Sequence, residues 1–136
     1  MAFTPKKVKY RKMMRGHKQG LSVQGSQVSF GEYGLKAVEA GNITNNQLEM
    51  IRVILARALR RSGKSWMRVF SDKPITRKPQ EVRMGKGKGD LDHWEAVVRR
   101  GRIMFEISGV PRDYAQGIFR KIAYKLPFKC KMVERI

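Results

Sequence analysis

The chain has 136 residues and carries 30 Lys and Arg against 11 Asp and Glu, a formal net charge of +19. This length predicts one domain with a modest core, and a single cysteine excludes an intrachain disulfide. No apolar run reaches the roughly 18 residues that span a bilayer, so we expect a soluble intracellular protein whose charge is relieved by a polyanionic partner.

Residues 1–28 are predicted to form a basic N-terminal arm, followed by a single α+β domain at residues 29–136. The first acid in the chain is Glu32. The cations that precede it are Lys6, Lys7, Lys9, Arg11, Lys12, Arg15 and Lys18. Together with Phe3, Tyr10 and several glycines, they are typical of an extended chain that lies along nucleic acid and orders on contact. The alternative is an unattached disordered tail.

A first helix is predicted to begin near Asn45, because Thr44 and Gln47 have capping-box spacing and Gly63 is a natural stop. Apolar residues recur on one side at Leu48, Ile51, Ile54, Leu55, Ala58 and Leu59. Arginines occupy the other side at Arg52, Arg57, Arg60 and Arg61. This arginine face is either a solvated surface or an RNA contact, and Arg52 and Arg60 are the RNA-binding candidates on it.

A strand is predicted from Trp66 to Phe70, and Pro74 and Pro79 stiffen the connection that follows it. The two prolines frame Arg77 and Lys78, which we expect to lose little entropy when they bind phosphate. With the loop that comes next, these cations predict a second basic block that is separate from the arm. Two such blocks could bridge segments of a folded nucleic acid.

The most informative segment is the loop Arg83-Met84-Gly85-Lys86-Gly87-Lys88-Gly89. Its glycines let backbone amides approach a phosphate closely, and its lysines supply mobile charge. The spacing does not fit a nucleotide pocket, since a Walker loop needs four residues before Gly-Lys and a Ser or Thr after it. A dinucleotide fingerprint needs its third glycine one residue later. The loop is therefore either a polyphosphate-binding loop or a mobile hairpin tip.

Strands are predicted on both sides of this loop, at Val82 to Met84 and at Trp94 to Val98. A turn at Arg99 to Gly101 leads to Arg102 to Ser108, which shows the clearest alternation of the chain. Its predicted faces are Ile103, Phe105 and Ile107 on one side and Met104 and Glu106 on the other.

A second helix is predicted after Gly109-Val110-Pro111, running to Ala123 and ending before Pro127. The last strand starts at Phe128, with Cys130 and Met132 on the same packed face. Strands interrupted by two helices predict an α+β fold, a two-layer α/β sandwich.

Candidates for catalysis or metal binding are few. His93 follows Asp90-Leu91-Asp92, but a metal site needs three or four converging ligands. Cys130 lies between lysines that could lower its pKa, yet no base is close to it in sequence. We therefore predict no enzymatic activity, no metal and no cofactor.

Two other classes of protein share this charge. A DNA-compacting protein would also be basic, but no recognition helix is apparent. A membrane-surface protein would need more apolar anchors than the arm offers at Phe3, Val8, Tyr10 and Met13-Met14. We therefore predict a protein that binds folded RNA through phosphates and shape and does not bind membranes.

Several motifs occur in a set order along the chain. They are Pro5-Lys6-Lys7-Val8-Lys9-Tyr10-Arg11-Lys12, Ser29-Phe30-Gly31-Glu32-Tyr33-Gly34-Leu35, Asp72-Lys73-Pro74-Ile75-Thr76, Val82 to Gly89, Gly101-Arg102-Ile103-Met104-Phe105-Glu106, Gly109-Val110-Pro111 and Lys125-Leu126-Pro127. Over essentially the whole chain they resemble the family of bacterial-type large-subunit ribosomal protein sixteen, and the string from Arg83 to Gly89 is the most specific of them.

This resemblance implies a non-catalytic component of the large ribosomal subunit, in a cytoplasmic or organellar ribosome. It implies large-subunit rRNA, A-site and P-site tRNA and neighbouring ribosomal proteins as partners, near the peptidyl-transferase centre. The loop from Arg83 to Gly89 would point to the tRNA-binding cleft, and the arm from Lys6 to Lys18 would thread between rRNA segments. The implied fold is an α/β sandwich with a hammerhead-like β element.

Two positions depart from the family pattern. Ser71 replaces a proline that is usual before Asp72, which would loosen the exit from the preceding strand. Asn45-Asn46 stands where a basic residue is frequent in the family. Both departures are expected to change local contacts only.

Overall fold

The computed structural model describes residues 3–136, so Met1 and Ala2, the first residues of the predicted arm, lie outside the described residues. Two helices and seven strands form within that range. They are β1 (Tyr33–Ala37), β2 (Gly41–Thr44), α1 (Asn45–Ala58), β3 (Lys64–Met67), β4 (Lys73–Arg77), β5 (Asp90–Val98), β6 (Ile103–Ser108), α2 (Arg112–Ala123) and β7 (Cys130–Glu134). The fold is mixed α+β, as predicted.

The strands form two antiparallel sheets. One has four strands in the order β3-β6-β1-β7, and the other has three in the order β2-β5-β4. Helix α1 contacts β2, β3 and β5, whereas α2 contacts β1 and β7. Both helices and both sheets contribute side chains to one hydrophobic core, with Leu35, Ile51, Val98, Phe105 and Phe119 among its buried members. None of the helices in residues 3–136 is long and apolar enough to cross a membrane.

Helix α1 begins where the sequence predicts it. The Thr44 hydroxyl accepts a hydrogen bond from the Gln47 N–H at 3.2 Å, and the Gln47 side chain accepts one from the Thr44 N–H at 3.0 Å. The helix ends at Ala58, before Arg60 and Arg61. These two arginines therefore follow the last helical turn instead of extending the arginine face.

The strands around the glycine loop differ from the prediction. Residues 82–84 form no strand, and the proline-framed connection is instead β4, which pairs with β5. Pro74 fits there because β4 is an edge strand of its sheet, where a missing N–H is tolerated. The strand predicted from Trp66 to Phe70 is β3, shifted to Lys64–Met67. Strands β1 and β2 have no counterpart in the prediction.

A bulge interrupts the predicted alternation of β6. Leu35 pairs with Phe105 and Lys36 with Ile103, so Met104 is the extra residue. Met104 consequently joins the main core cluster together with Phe105. The predicted face of Ile103, Phe105 and Ile107 is broken at this point, because an added residue shifts the alternation of side chains. Strands β5 and β6, although joined by the turn at Arg99 to Gly101, lie in different sheets.

Candidate nucleic-acid interface

The predicted arm is an extended chain laid against the body of the protein. Residues 6–21 are all exposed, including every arm cation that the sequence analysis names. Further along, the Ser22 N–H donates to the Arg100 carbonyl at 3.0 Å, and the Ile103 N–H donates to the Gly25 carbonyl at 2.7 Å. The arm therefore joins the body through backbone hydrogen bonds at its root and leaves its cations in solvent.

The start of the arm is tied down by one of the departures from the family pattern. The Ser71 side chain is buried, and its hydroxyl donates a hydrogen bond to the Phe3 carbonyl. A proline at position 71 has no hydroxyl and could not make this bond. Ser71 thus attaches residue 3 to the entrance of β4.

The glycine loop joins β4 to β5 with an unusual backbone. Gly85, Lys86 and Gly87 have φ values of 99°, 60° and 101°, in the left-handed region that favours glycine. A Cβ atom at Gly89 would lie 2.8 Å from the backbone carbonyl carbon of Arg77, so the loop closes tightly on the end of β4. Residues 83–88 are all exposed. The loop consequently presents Arg83, Lys86 and Lys88 to solvent on a tightly turned backbone.

The arm and the loop meet. Lys12 Nζ donates to the Lys88 carbonyl at 3.2 Å, and Lys88 Nζ donates to the Met13 carbonyl. Lys73 on β4 donates to the Arg15 carbonyl. The two basic blocks that were predicted to be separate are therefore one continuous surface, because long lysine side chains bridge them.

We call this region the arm–loop surface. It comprises Lys12 to Lys18, Lys73 to Lys78 and Arg83 to Gly89. A cleft of about 850 Å³ opens onto it, lined by Met13 and residues 15–19 of the arm, by Lys73 to Thr76 of β4, and by Lys88, Asn42 and the acid Glu95. Lys78, which is half-buried, donates to the Gly85 carbonyl and so braces the loop, while Arg77 is exposed at the end of β4.

The cations of the arm–loop surface are not neutralised within the protein. Among residues 3–136, the salt bridges involve Arg52, Arg68, His93 and Arg112, and none of them uses an arm or loop cation. The lysine contacts described above go to backbone carbonyls, which carry no net charge. The arm and loop cations therefore remain available to an external anion, although Glu95, which pairs with His93, lines the same cleft.

The arginines of α1 separate into two environments. Arg52 forms a salt bridge with Glu49 at 2.5 Å, and this hydrogen bond raises the pKa of Arg52. Arg60 lies instead with Arg57 and Arg61 beside a cleft of about 640 Å³ between the end of α1 and the start of α2. Both candidates are exposed, but Arg52 already has an acidic partner.

The segment that follows the arm, Ser29 to Gly31, is fixed by Glu106, which was not among the predicted site residues. Its side chain is fully buried on β6. The carboxylate accepts hydrogen bonds from the N–H groups of Ser29 at 3.1 Å, Phe30 at 2.7 Å and Gly31 at 2.8 Å, and pairs with Arg68 at 2.7 Å. Burial raises the pKa of Glu106, but these hydrogen bonds outweigh it and lower the pKa overall. The sequence feature that could have identified Glu106 is its position as an acid within an otherwise apolar strand.

The candidate metal and nucleophile residues have other roles. His93 contacts Asp92 at 2.7 Å and Glu95 at 2.8 Å, whereas Asp90 takes no part. Within residues 3–136, no three His, Cys, Asp or Glu side chains are placed to hold a metal ion. Burial, aided by Glu39, raises the pKa of Cys130 to about 12. The expectation that neighbouring lysines lower this pKa is therefore wrong.

The chain is similar to ribosomal proteins along almost its full length. The family model for ribosomal protein L16p/L10e matches residues 5–133. The large ribosomal subunit protein uL16 of Protochlamydia amoebophila is 54% identical over 136 residues, which cover 100% of this chain and 98% of that protein. The uL16 proteins of Heliobacterium modesticaldum and a Sulfurihydrogenibium species are 53% and 49% identical, over 96% and 97% of this chain and 91% and 96% of those proteins.

Proposed function

The chain belongs to the ribosomal protein L16p/L10e family, and on that basis we propose that it binds large-subunit rRNA and helps to position A-site and P-site tRNA near the peptidyl-transferase centre. It is a structural ribosomal protein of the large subunit and not an enzyme. Its other partners in this proposal are the neighbouring ribosomal proteins of the subunit.

The observation that carries this proposal is the contact between the arm and the loop. Two segments far apart in sequence present their cations on one surface, and their salt-bridge capacity is unused. Each phosphate that such a surface neutralises releases counterions, so affinity for RNA should fall steeply as salt is raised. An extended arm and a tightly turned loop can follow the clefts of a folded RNA, where a rigid helix would fit poorly.

The two parts of the surface receive different roles. We infer that residues 1–28 act as an arm that threads between rRNA segments, and that residues 29–136 form the domain that carries the loop. The loop from Arg83 to Gly89 leaves Arg83, Lys86 and Lys88 exposed where it connects β4 to β5, which suits contact with tRNA. In this proposal the sheet β2-β5-β4 with its loop corresponds to the hammerhead-like β element.

A double substitution of Lys86→Ala with Lys88→Ala tests the role of the loop. It should impair tRNA-dependent translation more than incorporation into the large subunit, because the folded body and the cations of the arm remain. Since Lys88→Ala also removes the hydrogen bond to the Met13 carbonyl, Lys86→Ala alone should show the same order of effects. Sedimentation measures incorporation, and peptide synthesis on the same ribosomes measures translation. The matched control is Lys125→Ala with Lys129→Ala, two exposed lysines outside the arm–loop surface. Equal losses of incorporation and translation would contradict the division of roles.

Removal of residues 1–20 tests the role of the arm. The deletion takes away seven cations that no acid opposes, so affinity for large-subunit rRNA should fall and its salt dependence should become shallower. Unchanged affinity at moderate salt would refute the assignment. Parallel titrations with duplex DNA and with anionic vesicles separate RNA binding from DNA compaction and from membrane binding.

A further inference from the structure

A stacked pair of aromatic rings, Phe30 exposed and Trp66 half-buried, lies beside the segment that follows the arm, outside the arm–loop surface. The ring centroids of Phe30 and Trp66 are 6.2 Å apart, and the ring planes differ by 22°. The guanidinium carbon of Arg68 lies 5.5 Å from the centroid of the Phe30 ring. Phe30 exposes 57% of its surface. We call Phe30, Trp66 and Arg68 the aromatic platform.

Buried Glu106 holds two members of the platform, and the pairing of β3 with β6 holds the third. It accepts a hydrogen bond from the Phe30 N–H at 2.7 Å and forms an ion pair with Arg68 at 2.7 Å. Trp66 lies on β3 directly opposite Glu106 in the register of the sheet. Two planar rings and a guanidinium are thus fixed beside one another before any partner arrives, which reduces the entropy lost on binding.

Stability of the protein alone does not explain the exposure of Phe30. Phe buries a large apolar area when it enters a core, and Phe30 forgoes much of that gain. It lies next to β3, an edge strand that other described strands cover on one side only. A flat apolar ligand could therefore reach the ring.

We propose that the aromatic platform stacks an unpaired nucleobase of the large-subunit rRNA. The proposal rests on the proposed function, since it needs RNA beside the arm. Exposed aromatic planes such as the Phe30 ring are surfaces on which single-stranded bases stack, and such stacking tolerates any base. The charge next to the rings favours RNA over an apolar protein segment. The Arg68–Glu106 pair has no net charge, and exposed Lys64, on the same short strand as Trp66, adds a positive one.

Fluorescence of Trp66 gives a direct test. The chain has two tryptophans, so a Trp94→Phe background leaves Trp66 as the only reporter. The probes are a short oligoadenylate and an abasic ribose-phosphate oligomer of the same length and charge. Oligoadenylate should quench Trp66 and bind on the order of tenfold more tightly than the abasic oligomer, since each stacked base contributes to affinity.

Substitutions in the platform test whether Phe30 and Trp66 cause the preference for oligoadenylate. Phe30→Leu should bring the affinity for oligoadenylate close to that for the abasic oligomer, whereas Phe30→Tyr should retain the difference. Trp66→Leu, followed by the anisotropy of labelled oligomers, should reproduce the loss. Circular dichroism and thermal unfolding confirm that each variant is folded, and the exposure of Phe30 makes Leu a mild change there.

The outcomes separate this inference from the proposed function. Equal affinity for both oligomers without quenching would overturn the platform and leave electrostatic RNA binding intact. Failure of large-subunit rRNA itself to bind the protein would overturn both. If Phe30→Leu reduces subunit incorporation at unchanged RNA affinity, the platform contacts a neighbouring protein, and the nucleobase assignment is wrong.

Discussion

Replacing Glu106 with Gln should destabilise the protein by about 3–5 kcal/mol, the usual cost of breaking a buried ion pair. The carboxylate is fully buried and has four donors, three backbone N–H groups and Arg68. Gln keeps one oxygen and places an NH₂ group where the second carboxylate oxygen accepted hydrogen bonds. This NH₂ group is itself a donor, so the protein donors that it faces lose their acceptor. Each lost hydrogen bond to a charged group contributes about 1.5–3 kcal/mol, and these values do not add.

Urea unfolding followed by circular dichroism measures the change. Glu49→Gln is the matched control, because Glu49 pairs with Arg52 on the exposed surface and its loss should leave the free energy of unfolding nearly unchanged. Adding Arg68→Met to Glu106→Gln should cost less than the two separate changes together, since the first change already leaves the other partner unpaired. Hydrogen exchange at residues 29–31 should accelerate in the Gln variant.

The pH dependence provides a second readout for Glu106. The folded pKa lies below the ordinary 4.5, so the stabilisation is fully present above that pH and is lost as pH falls through the folded pKa. Glu106→Gln should therefore lose stability less steeply than the wild type below about pH 4.5. A Gln variant within about 1 kcal/mol of the wild type at neutral pH would refute this account of the arm root.

Three further predictions concern the body of the protein. Thr44→Ala should cost about 1 kcal/mol in urea unfolding, because it removes the acceptor for the Gln47 N–H, and an unchanged midpoint would contradict the capping box. Burial lowers the pKa of His93, but Glu95 and Asp92 outweigh it and raise the pKa above 6.5, so this stabilisation is present below pH 6.5 and lost as pH rises through the folded pKa. The free energy of unfolding of His93→Gln, measured from below pH 6.5 upwards, should lack this pH dependence. If the variant keeps it, another group causes the dependence. Burial raises the pKa of the Cys130 thiol to about 12, so at about pH 8 it should react with a thiol reagent at least about tenfold more slowly in the folded than in the unfolded protein, and equally fast labelling of both would contradict this.

The sequence predicted the elements whose signals are local. Helix α1 has a capping box at Thr44, so its start was found, but it ends at Ala58 and not at the predicted stop, Gly63; α2 has Pro111 at its start and was found close to its true bounds. Strands β1, β2 and β4 are four or five residues long, and pairing with distant strands defines them. Pro74 made β4 resemble a connection, since only the finished sheet shows that β4 is an edge strand.

The sequence predicts which segments carry the cations of the candidate site, but not that these segments touch. The basic arm and the glycine loop are visible as charge patterns, but their contact depends on lysines that reach across more than 70 positions of sequence. By contrast, the pairing of Arg52 with Glu49 has a local signal, because residues three apart on a helix are neighbours. This spacing predicts that Arg52 is paired with an acid, which leaves Arg60 as the better candidate for binding RNA.

The arm is held by different chemistry along its length, and this difference suits a surface that must bind an anion. Just after the arm, the buried Glu106 carboxylate fixes the chain from Ser29 to Gly31 strongly. In the middle of the arm, Lys12 and Lys88 donate to backbone carbonyls in exposed positions, where each bond contributes only about 1 kcal/mol. An acid in place of those carbonyls would hold the arm more firmly but would neutralise the charge. The segment around Lys12 can therefore leave the loop and follow RNA without breaking an ion pair, while the Ser71 bond to Phe3 and the Glu106 contacts hold the chain on either side of it.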